Sequence, residues 1–183
     1  MYRYIGNKSK LTNYILERIQ ELIGKTGTVA DVMAGTGTVS LELRKAGYKV
    51  IASDIMTYSF DHLIVNLKIS KSPTFSGLSG REIPKDSSNN AYENVLNYLN
   101  ELEGKESFFF KEFSLGGNPS NGTNPRKYFT SKNAKKIDAI REKINVWIEE
   151  KKITELEEAL LKHTLIMAVN EVANISGTYG YFL

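Results

Sequence analysis

Apolar residues recur at two different periods over residues 1–70, and the alternation between them predicts the local structure. Leu11, Ile15, Ile19, Leu22 and Ile23 fall three or four positions apart, which is one face of a helix, and Gly24 stands where that helix stops. Residues 28–33, Thr-Val-Ala-Asp-Val-Met, read as a short buried strand. A glycine turn follows, then a helix over about 38–46 closed by Gly47, and a second strand over 49–53 that ends at Asp54. Phe60, Leu63, Ile64 and Leu67 mark one face of a further helix. Strand–helix–strand–helix in this order implies two parallel strands joined by a right-handed crossover, the opening of a doubly wound sheet.

Beyond residue 70 the pattern changes. Residues 70–90 are rich in Ser, Pro, Gly and Asn and carry no sustained period; Val95, Leu96, Leu99 and Leu102 then predict a helix, and 116–125 a loop. Ile137, Ile140, Ile144, Trp147 and Ile148 form an apolar stripe behind a cap at Thr130 or Ser131. Thr154 and Glu157 match a capping box. The helix they open becomes apolar on every side at residues 165–169, which predicts a deeply buried second half ending at Gly177. The organisation expected is an α/β part over 1–70, a loop-rich insertion with one helix over 71–125, and a helical part over 126–183, all within one structural domain.

Composition narrows the classes. Of 183 residues 41% are hydrophobic, enough for a core without a staple, and the absence of cysteine excludes disulfides and thiolate metal sites. His62 and His163 stand apart on predicted helices and do not suggest a metal. No secretory or membrane-spanning run is present, so a cytoplasmic location is expected. The net charge is +3, yet Arg126, Lys127, Lys132, Lys135, Lys136, Arg141 and Lys143 lie close together against only Asp138 and Glu142. Such a stretch is either a solvated helix face or a contact for a phosphate backbone.

Candidate chemistry gathers at the strand ends, where open α/β sheets bind ligands. In Asp31-Val32-Met33-Ala34-Gly35-Thr36-Gly37 the two glycines permit a sharp turn and close ligand approach, and the next helix directs free N–H groups at the same spot. Asp54, 19 residues after Gly35, is suited to accept ribose hydroxyls, or simply to cap the following turn. The third glycine of a dinucleotide fingerprint would fall at position 40, which is Ser40; this counts against a nicotinamide or flavin cofactor.

Together with Tyr4-Ile5-Gly6-Asn7-Lys8, these segments resemble the adenine-specific DNA methyltransferases related to the Dam-type enzymes. The likeness extends to the segment from Arg126 to Arg141 and to Val169–Gly180, and so covers most of the chain. It implies a partial doubly wound Rossmann-type methyltransferase sheet with a helical insertion and C-terminal helices. It also implies S-adenosylmethionine as cofactor, held by Tyr4, Gly6, Lys8, Asp31, Met33, Ala34, Gly35, Thr36, Gly37, Asp54 and Ile55. Double-stranded DNA is the implied partner, touched by Arg126, Lys127, Tyr128 and Lys132, in a restriction–modification setting.

Two departures stand out. Met33 replaces the family's usual Phe. The family's catalytic Asp/Asn-Pro-Pro-Tyr/Phe is absent, since Pro73, Pro84, Pro119 and Pro125 are all isolated. In the family that tetrapeptide holds the adenine amine and stacks on a base turned out of the duplex. No catalytic residue is therefore expected in these 183 residues, which read as a truncated cofactor-binding portion, inactive alone. An unpaired edge on the strand bearing Asp31 would favour a second subunit or self-association. The alternatives are a non-catalytic nucleic-acid-binding protein that kept the sheet, and a nicotinamide or flavin enzyme.

Overall fold

A computed structural model describes residues 6, 8–78, 80, 82–122 and 124–175. The chain forms two compact units, Tyr4–Lys71 and Ser72–Leu183.

The first unit is α/β. It runs α1 (Thr12–Ile23), β1 (Thr28–Asp31), α2 (Thr38–Lys45), β2 (Lys49–Ala52) and α3 (Thr57–Lys68). β1 and β2 pair in parallel with Val29 opposite Val50 and Asp31 opposite Ala52, a two-stranded sheet among the described residues. Gly24 ends α1 with φ 79°, its N–H returning to the Gln20 carbonyl. The buried Tyr48 hydroxyl donates to the Gly24 carbonyl at 2.5 Å, tying the entry of β2 to the end of α1.

Both strands are shorter than the sequence predicts. Val32, Met33 and Ser53 lie outside them because the chain begins to turn at the last rung: Ser53 N–H donates to the Asp31 carbonyl and Ala34 N–H to that of Ser53. Along each strand, exposed and half-buried positions alternate, as the pleat requires when one face is covered. α2 packs on that sheet and also against α1 and α3. Ile51, on the open face, is 57% exposed, and Val32, Met33, Ile55 and Phe60 are exposed as well.

The second unit is helical. It contains α4 (Ala91–Glu101), α5 (Phe108–Phe113), α6 (Ser131–Glu149) and α7 (Glu155–Val172). The side chain of Asn90 caps α4, Thr130 caps α6 and Thr154 caps α7, and Glu157 completes the capping box at Thr154. One core joins Val95 and Leu99 of α4, Ile144 and Trp147 of α6 and Leu161 of α7. Phe75, Leu78 and Ile83 enter the same core from a stretch whose composition suggests only loop. A second cluster gathers Tyr128, Phe129, Ala134, Ile137, Ala173 and Ile175.

Two expectations need correction. α5 was not foreseen, and it exists because Asp138 of α6 accepts N–H groups from Ser107, Phe109 and Phe110 at 3.2, 2.9 and 2.8 Å. The second half of α7 is half-buried rather than deep: residues 165–169 are intermediate or exposed, while Glu157, Ala159, Leu161 and Asn170 are the buried ones. A helix packed chiefly on one neighbour, here α6, buries a stripe and not its whole circumference. α7 also ends at Val172, where Ala173 turns extended; Gly177 lies outside the described residues.

Candidate functional site

The turn between β1 and α2 is fixed from several sides. Gly35 and Gly37 adopt φ 56° and 77°, the left-handed region that side chains resist. At Gly37 a Cβ would also lie 2.9 Å from Leu63 Cδ2, so any side chain there must push that methyl aside. Gly37 N–H donates to the Ala34 carbonyl at 2.9 Å, closing the turn. Gly35 N–H donates to Asp54 Oδ2 at 2.7 Å, while Asp54 Oδ1 accepts the Met56 N–H at 2.9 Å. The Met56 and Gly35 N–H groups, in that order, hold the Asp54 carboxyl below its ordinary value, so it is a carboxylate at neutral pH.

Asp31, at the last position of β1, accepts the Ser40 hydroxyl at 2.7 Å on Oδ2. Ser40 is fully buried, so the residue in place of a third glycine braces the strand end against the first turn of α2. The Asn66 amide of α3 donates to the Thr36 carbonyl at 2.9 Å.

A cavity of about 290 Å³ opens beside this turn. It is bordered by Gly6 and Lys8 from the N-terminal segment, by Asp31, and by Met33, Ala34, Gly35 and Thr36 of the turn. Seven of the residues singled out from the sequence therefore share one cavity. Ile15, Thr38 and Val39 also line it. Sequence reading had assigned these three to the helices, although the first turn after a glycine turn is where ligand contacts are expected. Gly37 and Asp54 do not line the cavity but are hydrogen-bonded to Ala34 and Gly35, which do, and Ile55 is 95% exposed and not part of the lining. Tyr4 lies outside the described residues.

The sequence of the D12 class N6 adenine-specific DNA methyltransferase family matches residues 4–183. The chain belongs to that family. It is 36% identical to the type II methyltransferase M.FokI of Planomicrobium okeanokoites, over 99% of this chain and 26% of that protein. It is 30% identical to the type II methyltransferase M.NlaIII of Neisseria lactamica, over 98% of this chain and 48% of the relative. With the modification methylase LlaI of Lactococcus lactis subsp. lactis it shares 32% identity over 98% of its own length and 27% of the other's. The chain thus spans about half or less of the length of these curated relatives. No solved structure matches it.

The basic stretch of this family member is largely engaged within its own unit. Lys135 pairs with Glu106, Arg126 approaches Glu112 at 3.7 Å, and Lys143 binds Glu82. Lys136 donates to the Asn100 and Leu102 carbonyls at the end of α4. Lys127 and Lys132 are exposed. Tyr128 is only 9% exposed and packs edge-on against Phe113, so its ring is not presented for stacking on a base. It belongs to the aromatic entry of α6.

Proposed function

We propose that the Tyr4–Lys71 unit is the S-adenosylmethionine-binding portion of a DNA methyltransferase acting on the exocyclic amine of adenine, in a restriction–modification system. The observation that carries this reading is the 2.7 Å hydrogen bond from Gly35 N–H to Asp54, which joins the two strand ends beside the cavity. The donor set suits a cationic nucleoside. Two carboxylates, Asp31 and Asp54, stand at adjacent strand ends, and no third glycine is present to seat a diphosphate. A carboxylate offers about four lone-pair sites, so Asp54 retains capacity for ribose hydroxyls after accepting two backbone N–H groups. A cavity near the lower end of the ~300–1,000 Å³ usual for small-molecule sites suits part of such a ligand, with the rest open to solvent.

When bound, the cofactor supplies an activated methyl group on its sulfonium. The residues of this chain would orient it: Gly35 and Thr36 by backbone approach, Met33 by apolar contact, Asp54 by charge. Nothing among the 183 residues provides the adjacent prolines of the family's base-holding tetrapeptide, so we expect no methyl transfer by this polypeptide alone. Double-stranded DNA is the proposed substrate, with Arg126, Lys127 and Lys132 as backbone contacts. The two strands are taken as the start of a larger Rossmann-type sheet. Its completion by the remainder of a longer chain, by another polypeptide or by a second copy is favoured by the exposed Val32, Ile51 and Phe60 and by the single pairing of β1 among the described residues.

The test is titration calorimetry with S-adenosylhomocysteine and with NAD, run alongside light scattering on the same samples. Binding of the first and not the second is expected, and Asp54→Ala should weaken it about 10-fold or more. Equal binding of NAD, or no binding of S-adenosylhomocysteine, overturns the proposal. Unchanged affinity in Asp54→Ala removes that residue from the site. A non-catalytic nucleic-acid-binding role predicts salt-dependent DNA binding with no stabilisation by S-adenosylhomocysteine, and that outcome would replace the proposal.

A further inference from the structure

The glycine turn contains three consecutive peptide planes, and their restraints differ. The Ala34–Gly35 plane is held at both ends: its carbonyl accepts the Gly37 N–H at 2.9 Å, and its N–H donates to Asp54 Oδ2 at 2.7 Å. The Thr36–Gly37 plane is also held at both ends. Its N–H makes that same bond to Ala34, and its carbonyl accepts the Asn66 side-chain amide at 2.9 Å. The Gly35–Thr36 plane between them makes no hydrogen bond to another described residue, and both of its residues line the cavity.

We propose that Asn66 is a positioning residue for cofactor binding, locking the Thr36–Gly37 peptide so that the Gly35–Thr36 peptide is presented to the ligand. Asn66 does not line the cavity and acts through the turn. Its own placement is fixed from the far side, where its backbone carbonyl accepts Arg44 Nη1 at 2.9 Å, linking α3 to α2. The amide lies directly against Gly37, where a Cβ would stand 3.4 Å from Asn66 Nδ2, an ordinary van der Waals contact. The role needs a donor at this position. An aspartate of the same shape would set a carboxylate oxygen against the Thr36 carbonyl and repel it, whereas alanine merely removes the bond.

The ligand named rests on the reading of this unit as an S-adenosylmethionine site, but the restraint on the turn does not. The experiment therefore has two independent readouts on the 183-residue chain: amide hydrogen exchange at Gly35, Thr36 and Gly37, and calorimetric affinity for S-adenosylhomocysteine. Variants Asn66→Ala and Asn66→Asp are compared, with exchange at Val29 and Ile51, whose N–H groups face the partner strand, reporting whether the sheet remains intact. Asn66 is half-buried at the side of α3, so both variants are expected to keep the sheet. The expected result is faster exchange at Gly37 in both variants with Val29 and Ile51 unchanged. Affinity should fall about 10-fold in Asn66→Ala, near the net value of one hydrogen bond, and further in Asn66→Asp. If the unaltered chain does not bind S-adenosylhomocysteine, the cofactor assignment fails, and exchange at Gly37 alone decides whether Asn66 locks the turn. Unchanged exchange at Gly37, or unchanged affinity in a chain that binds, overturns the inference. Equal losses in both variants together with faster exchange at Val29 and Ile51 would assign Asn66 to general stability, and that also overturns it.

Discussion

Replacing Gly37 with alanine separates two costs that the glycine turn avoids. The first is conformational: φ is 77°, and an L-residue in the left-handed region costs roughly 1–2 kcal/mol. The second is contact. The new Cβ would sit 2.9 Å from Leu63 Cδ2, and moving that buried side chain off its rotamer costs about 0.5–1.5 kcal/mol. Gly47 provides the control, because it has φ 94° and nothing within 4 Å of its Cβ position. Gly37→Ala should therefore destabilise by about 1.5–3.5 kcal/mol, against about 1–2 kcal/mol for Gly47→Ala. The assay must report on the first unit alone, and the chain's single tryptophan, Trp147, lies in the core of the second. Native-state amide exchange at Val29 and Ile51, whose N–H groups face the partner strand, provides the required probe, at about 1.4 kcal/mol per tenfold change in protection. Gly37→Ala should also lower affinity for S-adenosylhomocysteine, because the strained φ and the displaced Leu63 methyl both disturb the turn that borders the cavity. If Gly37→Ala costs no more than Gly47→Ala, the packing of α3 against the turn does not constrain it, and the argument fails.

Two further outcomes concern the second unit, with Trp147 fluorescence as the probe. Asp138→Ala should destabilise it by about 3–4 kcal/mol in urea, since three backbone N–H groups lose a buried charged acceptor at once; a loss below about 1 kcal/mol would mean that α5 does not depend on that carboxylate. Glu82 should contribute acid sensitivity: burial alone would raise its pKa, but the Lys143 and Lys152 ammonium groups outweigh this and hold it at about 2 against an ordinary 4.5. Because the folded value is the lower one, its stabilisation, at most ~3 kcal/mol, is complete above the ordinary value and is lost as pH falls from there through the folded one. Glu82→Gln should flatten that part of the stability profile, and an unchanged slope would refute the assignment.

What the sequence made legible in the first unit is local. The period of the apolar residues and the positions of Gly24, Gly37 and Gly47 mark α1, α2, β2 and α3 to within a few residues, because helix ends and tight turns are set by neighbouring backbone geometry. The caps at Thr130 and Thr154 were legible for the same reason, each bond spanning three residues. Asp31 and the glycine-turn residues Met33 to Thr36 share one cavity, since a glycine turn between strand and helix is itself a local motif, and Gly6 and Lys8, singled out through the family resemblance, border the same cavity.

Other features could not be read from any window of sequence. α5 forms among Phe108, Phe109 and Phe110 because a carboxylate about thirty residues away accepts its first N–H groups. Phe75, Leu78 and Ile83 read as loop yet enter a core, where the Phe75 N–H finds Glu157 Oε1 at 2.6 Å across 82 residues. The apolar run on α7 promised complete burial, but how much of a helix is covered depends on how many neighbours it meets, and periodicity carries no such information. Asn66 gives no sign in the sequence of its bond to Thr36, thirty positions earlier. Sequence by itself determined where this chain turns and which turn borders the cavity. Tertiary structure decided what holds that turn in shape, because the hydrogen bonds that do so join residues adjacent only after folding.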